Sequence, residues 1–258
     1  MDGRLIDLSD WTPVTTGESG AFVYRSPDGS RYVKTGTVDL EAERDRMEWL
    51  AAQYIPGPTV LEWSSGPKGQ MLVTSAVVGV PADQLDANDL GKAWSAIADM
   101  VRRLHELPTT SCPFTRGLAE MMALARDAVA RDVVNPDFLH DADRSVPARE
   151  LLARVQSQEQ ARLAEENADL AVCHGDLCLP NIVVAPEDFS VAGFIDVGRL
   201  GLADRHADLA LLFANSRETW PEDVRADAAQ ALFEDTYGRP ADPQRLEFYT
   251  QLDPLTWG

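Results

Sequence analysis

The chain is short of positive charge. Its 258 residues hold 23 Lys and Arg against 42 Asp and Glu, a formal net charge of −19 at pH 7. A field of that sign repels nucleic acid and anionic membranes and attracts cations. It suits plain solubility or a polycationic partner, and charge alone does not separate the two. No uncharged apolar run approaches the ~18 residues that a membrane helix needs. The opening residues Met1-Asp2-Gly3-Arg4-Leu5-Ile6-Asp7 lack the basic start and apolar centre of a secretion signal. Cysteine is scarce as well: Cys112, Cys173 and Cys178 form no CxxC and leave one unmatched. Free thiols in a reducing cytoplasm are therefore expected, not a disulfide framework. There is no internal repeat and no low-complexity tract. With 45% hydrophobic residues the chain can bury a core, as one large domain or a two-lobed unit.

The first ~75 residues read as strands around one helix. Ala21–Arg25 and Arg31–Lys34 flank Ser26-Pro27-Asp28-Gly29-Ser30, a hairpin turn in which Pro presets φ and Gly accepts positive φ. Ahead of it lies the short polar loop Gly17-Glu18-Ser19-Gly20. The pattern predicts a helix over Asp39–Tyr54 with Leu40, Met47, Leu50 and Tyr54 on its buried stripe. Glu43 falls on that stripe, and a buried carboxylate needs a partner; Lys34 is the nearest in sequence. Pro56-Gly57-Pro58 stops the helix. Strands follow at Thr59–Trp63 and Gln70–Thr74, then a connector over residues 75–81. Residues 1–75 and 76–258 are thus the expected N-terminal and C-terminal lobes, with a hinge at about 75–81.

The remainder turns mainly helical, so the fold class expected is α+β. Trp94, Ile97, Val101 and Leu104 line one amphipathic helix, with His105 placed just off the stripe as a surface or flanking residue. One helix is expected over Glu150–Glu165 and a solvated loop over Asp137–Asp143. Short strands are expected at Leu170–Cys173, Ile182–Val184 and Val191–Ile195, then helices at Ala203–Asn215, Pro221–Tyr237 and Pro243–Tyr249.

Between those strands runs His174-Gly175-Asp176-Leu177-Cys178-Leu179-Pro180-Asn181, and later Asp196-Val197-Gly198-Arg199. The ordered set H-x-D-x4-N…D-x-G is the arrangement of kinase-type phosphoryl transfer from ATP. Asp176 would orient and deprotonate the attacking hydroxyl. Asn181 and Asp196 offer hard oxygen ligands suited to Mg2+. Lys34, held by Glu43, would meet the nucleotide phosphates, and Ser19 with the backbone at Gly20 would cover them. Taken alone, the Lys34–Glu43 pair reads more readily as structural. His174 is expected to brace the loop, and Asp204 and Asp208 to serve as a helix cap and an internal brace. Protein kinases place Arg between the His and the Asp, where it can pair with a phosphorylated loop. Gly175 stands there instead, which points to a constitutive small-molecule kinase. A nucleotide-binding pseudokinase, a kinase of a metabolite alcohol and a protein kinase are the alternatives. The complete set of Lys34, Asp176, Asn181 and Asp196 weighs against the first, and Gly175 against the last.

On these residues the chain resembles the aminoglycoside phosphotransferases, whose fold is the two-lobed one of protein kinases. The signatures are Val172-Cys173-His174-Gly175-Asp176…Asn181 and Ile195-Asp196-Val197-Gly198-Arg199-Leu200-Gly201…Ala203-Asp204-Arg205. The Gly17–Gly20 loop, Asn135-Pro136-Asp137-Phe138 and the ending Leu252-Asp253-Pro254-Leu255-Thr256-Trp257-Gly258 are similar to the branch acting on streptomycin at its 3''-hydroxyl. The resemblance implies Asp176 as catalytic base and Asn181 and Asp196 as magnesium ligands. It implies Lys34 and Glu43 as the nucleotide-lobe ion pair and Ser75, Ala76 and Val77 as the adenine-binding hinge. Arg199 and Asp253 stand with Asp176 on the substrate side. Relatives acting on other aminoglycosides carry a second acidic residue after the position of Asp253, where this chain has Pro254; a kinase of a kanamycin-type aminoglycoside is the nearest alternative within the family.

Overall fold

The computed structural model describes residues 7–14, 21–37, 39–67 and 69–257. In chain order the regular elements are β1 (Thr12–Val14), β2 (Phe22–Arg25), β3 (Arg31–Gly36), α1 (Leu40–Ala52), β4 (Val60–Gly66), β5 (Gly69–Ser75), β6 (Val80–Pro81), α2 (Ala87–His105) and α3 (Leu118–Arg131). There follow α4 (Ala148–Gln156), α5 (Glu159–Ala168), β7 (Leu170–Cys173), β8 (Ile182–Val184), β9 (Val191–Phe194), β10 (Gly201–Asp204), α6 (Arg205–Thr219), α7 (Asp223–Tyr237) and α8 (Pro243–Leu252). Contacts divide the chain into two compact units. The first runs to Val80 and returns with Val183–Gly198; the second is Pro81–Ile182 and the chain from Arg199 onward.

The first unit is built on an antiparallel sheet in the order β1-β2-β3-β5-β4. Its β2–β3 hairpin closes through Asp28, whose carboxylate accepts bonds from Ser26 Oγ at 2.6 Å and Ser30 N at 3.0 Å. Those bonds, led by the one from Ser26, hold the Asp28 carboxyl down to about 2. Gly29 takes the positive φ of 71° that the turn requires. The N-terminus of α1 is capped twice: Asp39 Oδ1 accepts from Ala42 N, and Gln70 Oε1 of β5 accepts from Leu40 N at 2.7 Å. Leu40, Glu43, Met47 and Leu50 face inward as expected. Tyr54 does not. It lies beyond the helix end in the left-handed region, φ 60°, and is 87% exposed. The helical stripe stops one turn early because Ala52 is the last helical residue and the chain then turns to Pro56.

The second unit carries the larger core. Asp86 caps α2 by accepting from the amides of Asn88 and Asp89. Trp94, Ile97, Val101 and Leu104 are buried on its inner face. Trp94 meets Trp220 edge-on at 5.0 Å and Phe233 of α7 at 5.6 Å, and its indole N–H donates to the Ala229 carbonyl at 2.7 Å. A second cluster joins α3, α4 and α8 through Leu118, Met122, Leu151, Phe248, Tyr249 and Leu252. Gly117, at the start of α3, has no capping side chain; Glu166 of α5 supplies the acceptor instead, at 2.7 Å from Leu118 N.

Three expectations shift here. α3 has no counterpart among the expected helices. The helix expected over Glu150–Glu165 is two, α4 and α5, broken where Ser157 Oγ donates to the Arg154 carbonyl and competes with the ladder. The helix expected from Ala203 begins at Arg205, because Gly201–Asp204 pairs antiparallel with β7 and Asp204 caps α6 by accepting from His206 N at 2.9 Å. Cys112, Cys173 and Cys178 form no disulfide. Among the described residues no helix is long and apolar enough to cross a membrane.

Phe233 is fully buried against Trp94, Phe213 and Tyr237. Phe233→Ala should cost about 3–5 kcal/mol, read as a fall in the urea midpoint of the second unit.

Candidate active site

In the first unit, β3 and α1 bring a cation and a carboxylate together out of water. Lys34 Nζ stands 2.6 Å from Glu43 Oε1 and 3.1 Å from Asp196 Oδ1. The Lys34 side chain is 17% exposed and that of Glu43 8%. Burial works against the ammonium, but Glu43 and then Asp196 outweigh it and raise the Lys34 pKa. Burial raises the Glu43 carboxyl, with Asp196 adding to the rise and Lys34 opposing it. The other lysines of the chain are Lys68 and Lys92, the latter on the outer face of α2 with Asp89. Asp196 follows β9 in the left-handed region at φ 57°, a conformation that costs a non-glycine residue energy and that gathers at functional positions.

In the second unit the loop after β7 carries Asp176 and Asn181. The Asn181 side-chain amide donates to the Asp176 carbonyl at 2.9 Å and to its Oδ2 at 3.1 Å, so amide and carboxylate are held as one piece. The loop is pinned from below. Asp208 of α6, 1% exposed, accepts from His174 N at 2.6 Å and Gly175 N at 2.9 Å. His174 Nδ1 in turn accepts from Asp176 N at 3.3 Å, the bracing role expected of it. Gly175 has φ 82°, and a Cβ there would sit 2.2 Å from the Arg199 carbonyl oxygen.

His105 is not a surface residue. It is buried, with Nε2 3.1 Å from Asp208 Oδ2 and Nδ1 2.7 Å from the Tyr237 hydroxyl. The carboxylate fixes the proton on Nε2, which leaves Nδ1 to accept from Tyr237; the Tyr237 hydroxyl, raised to about 12 by burial, keeps its proton. The signal was present: Ile97, Val101 and His105 are spaced i, i+4, i+8 on α2. Burial pushes the Asp208 carboxyl up, but the His105 bond, the His105 and His174 rings and the Gly175 amide outweigh it, so its pKa is lowered.

Arg199 lays its guanidinium over the Trp257 ring, Cζ to centroid 3.3 Å, and Asp253 Oδ2 accepts from Trp257 Nε1 at 3.2 Å. Burial raises the Asp253 carboxyl, against the Trp257 bond and the charges of Arg199 and Arg116. Arg116, 4% exposed, was not anticipated; it lies just before α3, where its amide bonds to the Leu202 carbonyl. At the expected hinge, Ser75 Oγ accepts from Thr59 N, and the Ala76 amide is taken by the Ser30 carbonyl at 2.8 Å. Val77 follows as irregular chain. Ser19 and the Gly17–Gly20 loop lie outside the described residues.

A lysine locked to a helix carboxylate, and an Asp–Asn loop held rigid by a buried carboxylate acceptor, are the parts of a kinase-like phosphotransferase. Residues 9–249 match the phosphotransferase enzyme family, and the chain belongs to it. It is 58% identical over 253 residues to the streptomycin 3''-kinase of Streptomyces griseus, covering 96% of this chain and 93% of that one. It is 38% identical over 258 residues to an aminoglycoside 3'-phosphotransferase of Streptomyces fradiae, covering 95% and 94%. Its backbone superposes with a TM-score of 0.93 on the aminoglycoside phosphotransferase APH(3'')-Id from Streptomyces rimosus in complex with ADP and streptomycin, at 55% identity, over 98% of this chain and 94% of that one. The fold is the kinase-like one expected.

Asp169, Asp204 and Asp208 all have pKa values lowered in the folded chain. The stability they contribute is complete above the unfolded value of about 3.9 and is lost as pH falls through their depressed folded values. Urea midpoints measured from pH 5 to 3 should therefore fall, and Asp208→Asn should show a shallower fall over the same range.

Proposed function

We propose that the protein is an ATP-dependent kinase that phosphorylates the 3''-hydroxyl of streptomycin and so inactivates the drug. The observation that carries this reading is the rigid Asp176–Asn181 pair, in a chain so similar to a streptomycin 3''-kinase. Asp176 accepts the substrate hydroxyl's hydrogen bond and takes its proton late, because phosphoryl transfer asks mainly for positioning and charge. Lys34, kept charged and aimed by Glu43, contacts the α/β-phosphates. Ser75–Val77 lie along adenine, and Ser19 covers the phosphates.

The donor set fits Mg2+. Asn181 spends its N–H groups on Asp176, which leaves its amide oxygen as the ligand atom, and Asp196 adds a carboxylate that is 43% exposed. When bound, the ion would neutralise phosphate charge. Arg199 and Asp253 flank the drug. A surplus of carboxylate charge, −19 over the chain, favours a polycation over neutral sugars. ATP and drug meet in the cytoplasm, where we place the protein. Residues 1–75 form the nucleotide lobe and 76–258 the catalytic and drug-binding lobe, hinged at about 75–81.

Incubation with Mg-ATP and streptomycin, followed by mass analysis, should show one added phosphate, with kanamycin left unmodified. Phosphorylated kanamycin and untouched streptomycin would overturn the substrate assignment. Asp176→Asn should lose about 10²–10⁴ in kcat with ATP affinity nearly kept; wild-type turnover in that variant would refute the base.

A further inference from the structure

Two segments that carry the likeness to the streptomycin branch are far apart in sequence, yet they meet. The helical turn Pro136–Phe138, capped by Asn135 Oδ1 accepting from Asp137 N, presents Phe138 to Trp257; the rings stand edge-on at 5.9 Å. Trp257 is in turn fixed by its N–H bond to Asp253. The result is a braced indole with a carboxylate at its edge. Such a pair suits a planar cation: the ring face attracts the charge and the carboxylate pairs with it.

A planar cation already sits there. The guanidinium of Arg199 lies 3.3 Å from the ring centroid. It is incompletely held, for its Nη1 is buried without a hydrogen-bond partner. Arg116, itself buried, donates a long 3.4 Å bond from its guanidinium to Thr256 Oγ1 and has its Nε unpartnered. Burial lowers the Arg116 pKa, and the charge of Arg199 lowers it further, against the carboxylates of Asp253, Glu120 and Asp176. The Arg199 carbonyl lies where a Cβ on Gly175 would meet it at 2.2 Å. A rotation of the Arg199 side chain is enough to uncover the ring.

We propose that the Trp257 face covered by Arg199 is the seat of a guanidinium group of the substrate, which displaces the Arg199 side chain on binding and makes Trp257 a specificity-determining residue. This rests on the streptomycin reading and deepens it. Streptomycin bears two guanidinium groups. Kanamycin-type drugs bear ammonium groups, compact and strongly hydrated charges that stack poorly on a ring.

The test combines calorimetric titration of streptomycin without nucleotide with steady-state kinetics. Trp257→Leu should raise the streptomycin Kd and KM by about tenfold or more, leaving KM for ATP unchanged and kcat within about twofold. Trp257→Phe should retain most of the affinity. Arg199→Gln should bind streptomycin about threefold tighter or better, since the internal competitor is gone. A Trp257→Leu variant that binds and turns over streptomycin like wild type overturns the inference alone, as does Arg199→Gln binding more weakly. A wild-type protein that neither binds nor phosphorylates streptomycin overturns both this inference and the functional reading beneath it.

Discussion

The second unit depends on one buried carboxylate. Asp208 is almost wholly out of water, where an unpaired charge would be prohibitive. It is held ionised by two backbone amides and a histidine, and charge-assisted bonds of this kind are the strong ones. In exchange it fixes the backbone of His174 and Gly175, and with it the direction in which Asp176 points. His105 and Tyr237 extend the chain of bonds from α2 to α7, so packing remote from the chemistry sets its geometry. The first unit uses the same principle with the sign reversed. There a half-buried ammonium, Lys34, is kept charged by Glu43 and Asp196.

This gives the negative surplus a second meaning. The chain as a whole is acidic, yet four arginines, Arg116, Arg162, Arg205 and Arg245, are buried. Arg205, Arg239 and Arg245 converge on Asp169, and Arg245 also reaches Asp204, at the cap of α6. A chain poor in cations thus sets several of them against internal carboxylates.

What could be read from the sequence was what is local in the chain. The Asp176–Asn181 spacing, the Pro27–Gly29 turn, the Glu43 carboxylate on an apolar stripe and the capping role of Asp204 each follow from residues within a few turns of one another. His105 was misplaced by a single step of helical phase, and Tyr54 by assuming one turn too many. The break at Ser157 lacks Pro or Gly and depends on a side-chain bond to backbone. Arg116 and the Phe138–Trp257 contact depend on pairing across the fold, for which periodicity carries no signal.

The absence of a side chain at residue 175 has a further consequence. The left-handed backbone and the Arg199 carbonyl lying 2.2 Å from any Cβ mean that the position is sealed by neighbouring main chain, not merely small by chance. The arginine through which protein kinases sense loop phosphorylation has nowhere to stand. Conversion of this chain into a phosphate-gated enzyme is thus not one codon away; both loops would have to be redrawn together.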